Sequence, residues 1–328
     1  METVINIVLL TFLCITALAI VQIRKLFCAI MLMGIFSLLS ACLFVTMDAV
    51  DVAFTEAAVG SGISTILLLG AMTLTSIDEK RPSYQSLIAI LVVVVTGAIL
   101  VYGTMDIPPF GTPDAPIHRH VALRYIQQSP IEVGPPNMVT SVLASYRGYD
   151  TLGETAVIFT AGIALVALLG TYRRKTGSAP QKDKPSTLND HLVLSIVSKM
   201  FIPLILLFGL YVQFHGDYGP GGGFQAGVIF ASGIILYALI FGVDKAMRVI
   251  SPSALRLLSA AGLLLFGGVG LMCIINGGNF LDYNTLAQRP IDGQHLGIFL
   301  IELGVGITVF AIMVMMFYAF SNRKGRSA

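Results

Sequence analysis

The chain has 328 residues, 55% of them hydrophobic and only 12% charged, about half the charged share of a soluble globular protein. That balance excludes a soluble enzyme and a nucleic-acid-binding module, and it predicts an all-α integral membrane protein in contact with the lipid bilayer. The formal net charge of +2 does not define a partner, because the charges are sorted by loop.

Runs of about 20 apolar residues predict nine spans near 4–23, 26–46, 52–75, 86–103, 152–172, 193–214, 222–243, 254–276 and 295–320. The first carries no basic leader region, and Arg24-Lys25 follow it, so it is read as a retained span rather than a secretory signal. With the N-terminus outside, sixteen of the 20 Lys and Arg residues fall on the cytoplasmic side. Only Arg119, Arg124, Arg147 and Arg289 fall outside. The C-terminus is then cytoplasmic.

Four cysteines, Cys14, Cys28, Cys42 and Cys273, lie inside apolar segments with no CxxC pair. They predict small buried apolar residues, with no disulfide framework and no iron–sulfur site.

The third span opens DAVDVAFTEAAVGSG and carries Glu56, with Gly60 and Ser64 on its helical face at i+4 and i+8. An acid in hydrocarbon is costly: roughly 2.5–3.5 kcal/mol for Asp, Lys or Arg at a span centre, less near an end. Nothing in lipid packing requires it. Glu56 is therefore read as an ion or proton group at a helix contact, against the alternative of a carboxylate eased by the helix N-terminus.

A long external segment, Thr104–Thr151, separates spans four and five. Within it Asn137 opens MVTSVLASYRG, whose Val139, Val142, Leu143 and Tyr146 predict a short amphipathic surface helix stopped at Gly148. His118 and His120 form a lone HxH, read as solvated loop rather than a metal site. Thr151-Leu152-Gly153-Glu154 has the spacing of a capping box, so Glu154 is either a helix cap or an ion-path acid. The basic stretch Thr176–Thr187 is the best candidate boundary in the chain.

The sixth span holds Lys199 and Pro203. Lys199 either snorkels to the interface or acts as a buried relay, and Pro203 can kink the helix. The next turn, HGDYGPGGGF, includes Pro220, Gly221, Gly222 and Gly223, which allow a tight hairpin and close backbone approach. His215 and Asp217 beside it are either packing groups or an ion entrance. The eighth span is rich in glycine (Gly262, Gly267, Gly268, Gly270), which predicts close helix contact. The ninth carries Glu302, a second deep acid read as an ion-path group, with a structural hydrogen bond as the alternative.

Three stretches resemble a known family. DVAFTEAAVGSG is similar to the acidic helix of MbhD-like modules and YRGYDTLGE to the signature of MbhE-like modules. LYVQFHGDYGPGGGFQAG with ELGVG resembles the MnhB-like B subunit of Mrp-type multisubunit cation/proton antiporters. The resemblance divides the chain into residues 1–78 (MbhD-like), 79–175 (MbhE-like) and 188–322 (MnhB-like). It implies a non-enzymatic transport subunit exchanging Na+ for H+, with no cofactor and Na+ as cargo. The implied setting is the inner (plasma) membrane and a hetero-oligomer that includes an antiporter-like (NuoL-like) subunit on another chain. In the family the acids matching Glu56 and Glu154 are implicated in the cation route. The same modules occur in membrane-bound hydrogenases, so a pumping subunit of a complex-I-like oxidoreductase is the alternative.

Overall fold

The structure, a computed structural model, describes residues 1–79, 85–109, 111–169 and 192–321. Among these, all regular elements are helical. Nine helices are long and apolar enough to cross a membrane: α1 Glu2–Gln22, α2 Leu26–Thr46, α3 Val50–Met72, α4 Gln85–Thr104, α6 Gly148–Leu169, α7 Leu192–His215, α8 Gly223–Phe241, α9 Pro252–Ile275 and α10 Pro290–Ser321. An additional surface helix, α5, spans Val121–Glu132. The 176–187 boundary and the basic residues at 80–81, 173–175 and 323–326 lie outside the described residues.

The starts of α3, α6, α8 and α10 and the end of α7 converge at one end of the bundle, joined by the contacts between Asp51, Asn137, Asp217 and His295. Nine alternating spans require that arrangement. Helix α10 is the axis, packing against α6, α8 and α9. Its buried Ile298, Ile301, Val309 and Ile312 meet Phe266 and Leu255 of α9 and Val228 and Ile235 of α8 in one core. By contrast α4 buries none of its apolar window.

Between apolar spans the hydrophobic effect supplies little, so contact depends on close packing and small residues. Gly262 fits this: a Cβ there would lie 2.5 Å from the carbonyl oxygen of Gly304 on α10. Gly270 packs under the Phe280 ring, whereas Gly267 and Gly268 face open space, so only part of the predicted glycine face is used. The cysteines also divide. Cys273 is buried as expected, but Cys14 and Cys42 are exposed and Cys28 only partly covered, because α1 and α2 pack on few neighbours.

The external segment is more ordered than its Pro and Gly content suggests. Asn137 caps the next helix, accepting from the Val139 N–H at 3.0 Å. A π-helical stretch, Ser141–Tyr146, then leads into α6, which begins at Gly148. Gly148 therefore starts a helix rather than ending one, fitting beneath the Tyr283 hydroxyl. The segment is not a free amphipathic surface helix. The buried Tyr283 hydroxyl donates to the Ala144 carbonyl at 3.0 Å, and Ser145 Oγ donates to Gln294 Oε1 at 2.7 Å.

Helix α5 is tied to this segment by a polar triad. Tyr146 donates to Glu132 Oε2 at 2.5 Å, and Arg124 Nη2 donates to Oε1 at 2.8 Å. The Tyr146 hydrogen bond, reinforced by Arg124, holds the Glu132 carboxyl below its usual range, while burial and the Glu132 neighbour push the Tyr146 phenol up to about 12. A carboxyl lowered by folding stabilises the protein above its unfolded value and loses that effect as pH falls through its folded value. Glu132→Gln is therefore expected to lower the melting temperature at neutral pH. The gap to wild type should close as melting in detergent is followed from about pH 7 to pH 3.

Candidate functional site

A cavity of ≈ 340 Å³ opens at the end of the bundle where the helix starts converge. Its walls come from three separated parts of the chain: Asp51 and Thr55 of α3, Thr140 and Glu154 around the start of α6, and Gln225 and Glu302 of α8 and α10. One π-helical stretch, Ser141–Tyr146, lines it with Leu143 and Ala144; a second, Ala57–Ile63, follows Asp51 and Thr55 in α3 without reaching the wall. An inserted residue of this kind widens a helical turn and re-aims the side chains beyond it, which is why such stretches gather at functional sites.

The glycine hairpin forms the floor. Gly222 adopts φ +111, a backbone conformation glycine takes at little cost, and its N–H donates to the Val212 carbonyl at 3.0 Å. That bond folds the end of α7 against the start of α8. Gly223 presses on α10 so closely that a Cβ would collide with the Glu302 carbonyl oxygen. Cβ atoms at Gly222 and Gly216 would lie 3.0 and 3.2 Å from the Glu302 carboxylate oxygens. Glycines at 216, 222 and 223 thus make the seat in which Glu302 lies. Among the described residues no hydrogen bond or ion pair reaches that carboxylate; Asp217 and Asp51 are the charges that act on it. Its structural alternative, a hydrogen bond to an adjacent helix, is not what the fold contains.

The parts are stitched by uncharged polar groups. Gln225 Nε2 donates to Thr55 Oγ1 at 2.8 Å, and Thr55 donates in turn to the Asp51 carbonyl at 2.9 Å. Thr140 Oγ1 donates to the Gly216 carbonyl at 2.6 Å. Among the described residues no Lys or Arg lines the cavity, and its walls are held by amides and hydroxyls. Carboxyl oxygens that line a shared cavity can exchange protons with water, but among the described residues no three His, Cys, Asp or Glu side chains are placed to hold a metal ion together.

Of the residues singled out in the sequence, Glu154 and Glu302 share this cavity with Gly221, Gly222 and Gly223. Glu154 is not a cap. Helix α6 starts at Gly148, and Thr151 donates to the Leu143 carbonyl at 2.7 Å instead of closing a box with Glu154. Glu56 is half-buried elsewhere, lying over Gly60 and opposite Ser37 of α2. A Cβ at Gly60 would meet Glu56 Oε1 and lie 2.8 Å from Ser37 Cβ. Gly60→Ala should therefore displace Glu56, separate α2 from α3, and lower the stability of the purified protein by roughly 1–3 kcal/mol in denaturant melts.

His215 and Asp217 do not act as one mouth. The His215 ring stacks on Tyr211 and, with Pro220, borders a separate apolar groove, whereas Asp217 pairs with His295 Nδ1 at 3.2 Å. Lys199 is exposed, with its ammonium 5.7 Å from the Phe241 ring centre and off the cavity wall. Pro203 lies within the unbroken helix α7.

Asp51, Thr55, Thr140 and Gln225 were not read as site residues from the sequence. A signal existed for the first: Asp51 precedes Glu56 by five residues, about 140° around a helix, so the two acids serve different faces. Gln225 and Thr140 carry no sequence signal; tertiary contact alone brings them in.

Known proteins match these same three parts. The family described as a domain related to the MnhB subunit of the Na+/H+ antiporter matches residues 193–315; those described as MBH subunits D and E match 11–76 and 81–184. The antiporter protein mnhB2 of Staphylococcus aureus (strain Newman) is 37% identical over 139 residues, covering 42% of this chain and 96% of the relative. The chain belongs to the MnhB family.

A second relative of this MnhB-family chain, named for the joined A and B subunits of a K(+)/H(+) antiporter in Rhizobium meliloti (strain 1021), is 25% identical over 245 residues, 67% of the chain. The chain spans only 24% of that relative's length. Among solved structures, a chain of the Mrp complex from Dietzia sp. DQ12-45-1b aligns with TM-score 0.77 and 25% identity over 98% of this chain and 35% of its own. The archaeal membrane-bound sulfane sulfur reductase aligns with TM-score 0.50 and 27% identity over 71% of this chain and 98% of its own. The nine spans and this kinship make the MnhB-family chain a multi-pass membrane protein.

Proposed function

We propose that this chain is a non-enzymatic membrane subunit of an Mrp-type antiporter that exchanges Na+ for H+ across the plasma (inner) membrane, working with other subunits that include an antiporter-like one. The cavity shared by all three family segments carries the reading: three acids, Asp51, Glu154 and Glu302, face a common space with no Lys or Arg on its walls. Competition between Na+ and H+ for carboxylates in such a site is the physical basis of exchange. The distribution of Lys and Arg supports an external position for this end of the bundle.

Everted vesicles from cells making the full subunit set test the function. Added Na+ should dissipate an imposed pH gradient, with K+ run in parallel because one relative is named for K+. Vesicles lacking only this chain should be inert. A full set that never responds to either cation contradicts the proposal. Sidedness has its own test. Tyr218, 71% exposed beside the cavity, changed to Cys, should react with a membrane-impermeant thiol reagent from outside intact cells.

A further inference from the structure

The polar residue that touches the most parts of the site is not an acid. Asn137 sits outside the spans, after Pro135-Pro136, and reaches all three segments. Its Nδ2 lies 3.3 Å from Asp51 Oδ1, 3.1 Å from the Gly216 carbonyl and 3.0 Å from the Gly219 carbonyl. Its Oδ1 accepts from the Val139 N–H at 3.0 Å, and its own N–H donates to the Asp217 carbonyl at 3.0 Å. All three neighbours of Nδ2 are acceptors, while Oδ1 faces a donor, so the carboxamide has one chemically sensible orientation.

We propose that Asn137 is a positioning residue of the ion site, its carboxamide fixing the separation between Asp51 and the glycine hairpin that seats Glu302. The link to Glu302 is short: Asn137 holds the Gly216 carbonyl, and Gly216 lies against both Gly222 and the Glu302 carboxylate. Capping alone does not call for asparagine, since Ser and Asp accept from a helix N–H equally well. Asparagine alone among the common caps pairs that acceptor with two donors. Aspartate there would set a second negative group against Asp51 and two carbonyls; serine would leave Asp51 and Gly219 without the Nδ2 donor and Gly216 with Thr140 alone.

The inference rests on the antiport reading for its transport readout and is tested in the intact complex. Asn137→Ser keeps the cap and removes the donors. It is expected to assemble at the wild-type level, to raise the half-saturating Na+ concentration roughly two- to tenfold, the range of one net hydrogen bond, and to leave the maximal rate nearly unchanged. Asn137→Asp should raise it further. Hydrogen–deuterium exchange of peptides covering residues 212–223 should also increase in Asn137→Ser, a readout that needs no transport. An Asn137→Ser complex with wild-type half-saturation overturns the inference, because capping is then the whole role. So does loss of assembly, which would make Asn137 a clamp for the fold, and so does unchanged exchange. A wild-type complex blind to both cations, with exchange nonetheless raised by Asn137→Ser, defeats the antiport reading and sustains the positioning role.

Discussion

Glu302→Gln is expected to reduce Na+-coupled proton exchange by roughly tenfold or more, a loss of at least about 1.4 kcal/mol of coupling, while the subunit set still assembles. Glutamine keeps the shape that Gly216, Gly222 and Gly223 enclose and removes the ability to gain and lose a proton. Removing half of a buried ion pair would orphan the other half and destabilise the protein by about 3–5 kcal/mol. Here no basic group among the described residues pairs with Glu302, so neutralisation leaves no stranded cation. The expected signature is a transport defect at normal abundance, read by comparing antiport in everted vesicles with complex levels on native gels. Normal transport would exclude Glu302 from the path. Loss of assembly would make it a structural group.

Gly223→Ala should have the opposite signature: little or no assembled complex. The added methyl would collide with the Glu302 carbonyl oxygen and lie 3.1 Å from Glu302 Cα, so the obstruction is backbone rather than a side chain able to swing away. Separating α8 from α10 to admit it would disturb the contact on which both the core and the cavity depend. Overpacking of this kind costs at least about 1–3 kcal/mol. Gly267→Ala on α9 is the control. Nothing lies within 4 Å of its added methyl, and alanine is the better helix former by roughly 1 kcal/mol. Complex abundance and melting temperature should therefore fall steeply in the first variant and hold or rise in the second. Equal behaviour of the two would contradict the close packing of α8 on α10.

The architecture was largely readable from the sequence, because a spanning helix must satisfy its own backbone and so announces itself as a continuous apolar run. All nine spans lie within a few residues of their expected positions. The segment between α4 and α6 was not readable in the same way. It reads as a Pro- and Gly-rich segment with one short surface helix after Asn137, but it also contains α5, and its π-helical turn is held by Tyr283 and Gln294, partners more than 130 positions away from the residues they bind. The site was legible in part. Glu302 and the glycine run are visible as an acid and a tight hairpin at membrane depth, yet that one encloses the other depends on the α8–α10 contact. The T-x-x-E spacing pointed to a cap, but the helix begins earlier and frees Glu154 to face the cavity. Glu56 drew attention from Asp51, although five residues of helix place them on different faces, and the π-helical stretch beginning at Ala57 is not written in any periodicity.

A density map of the assembled complex in Na+-containing buffer, sharp enough to show ordered solvent, is the most direct examination of the idea that unpaired acids here receive a travelling ion. The account predicts water or cation density within the space bounded by Asp51, Glu154 and Glu302. A lysine or arginine from a neighbouring subunit filling that space and bonded to these carboxylates, with no solvent beside them, would contradict it.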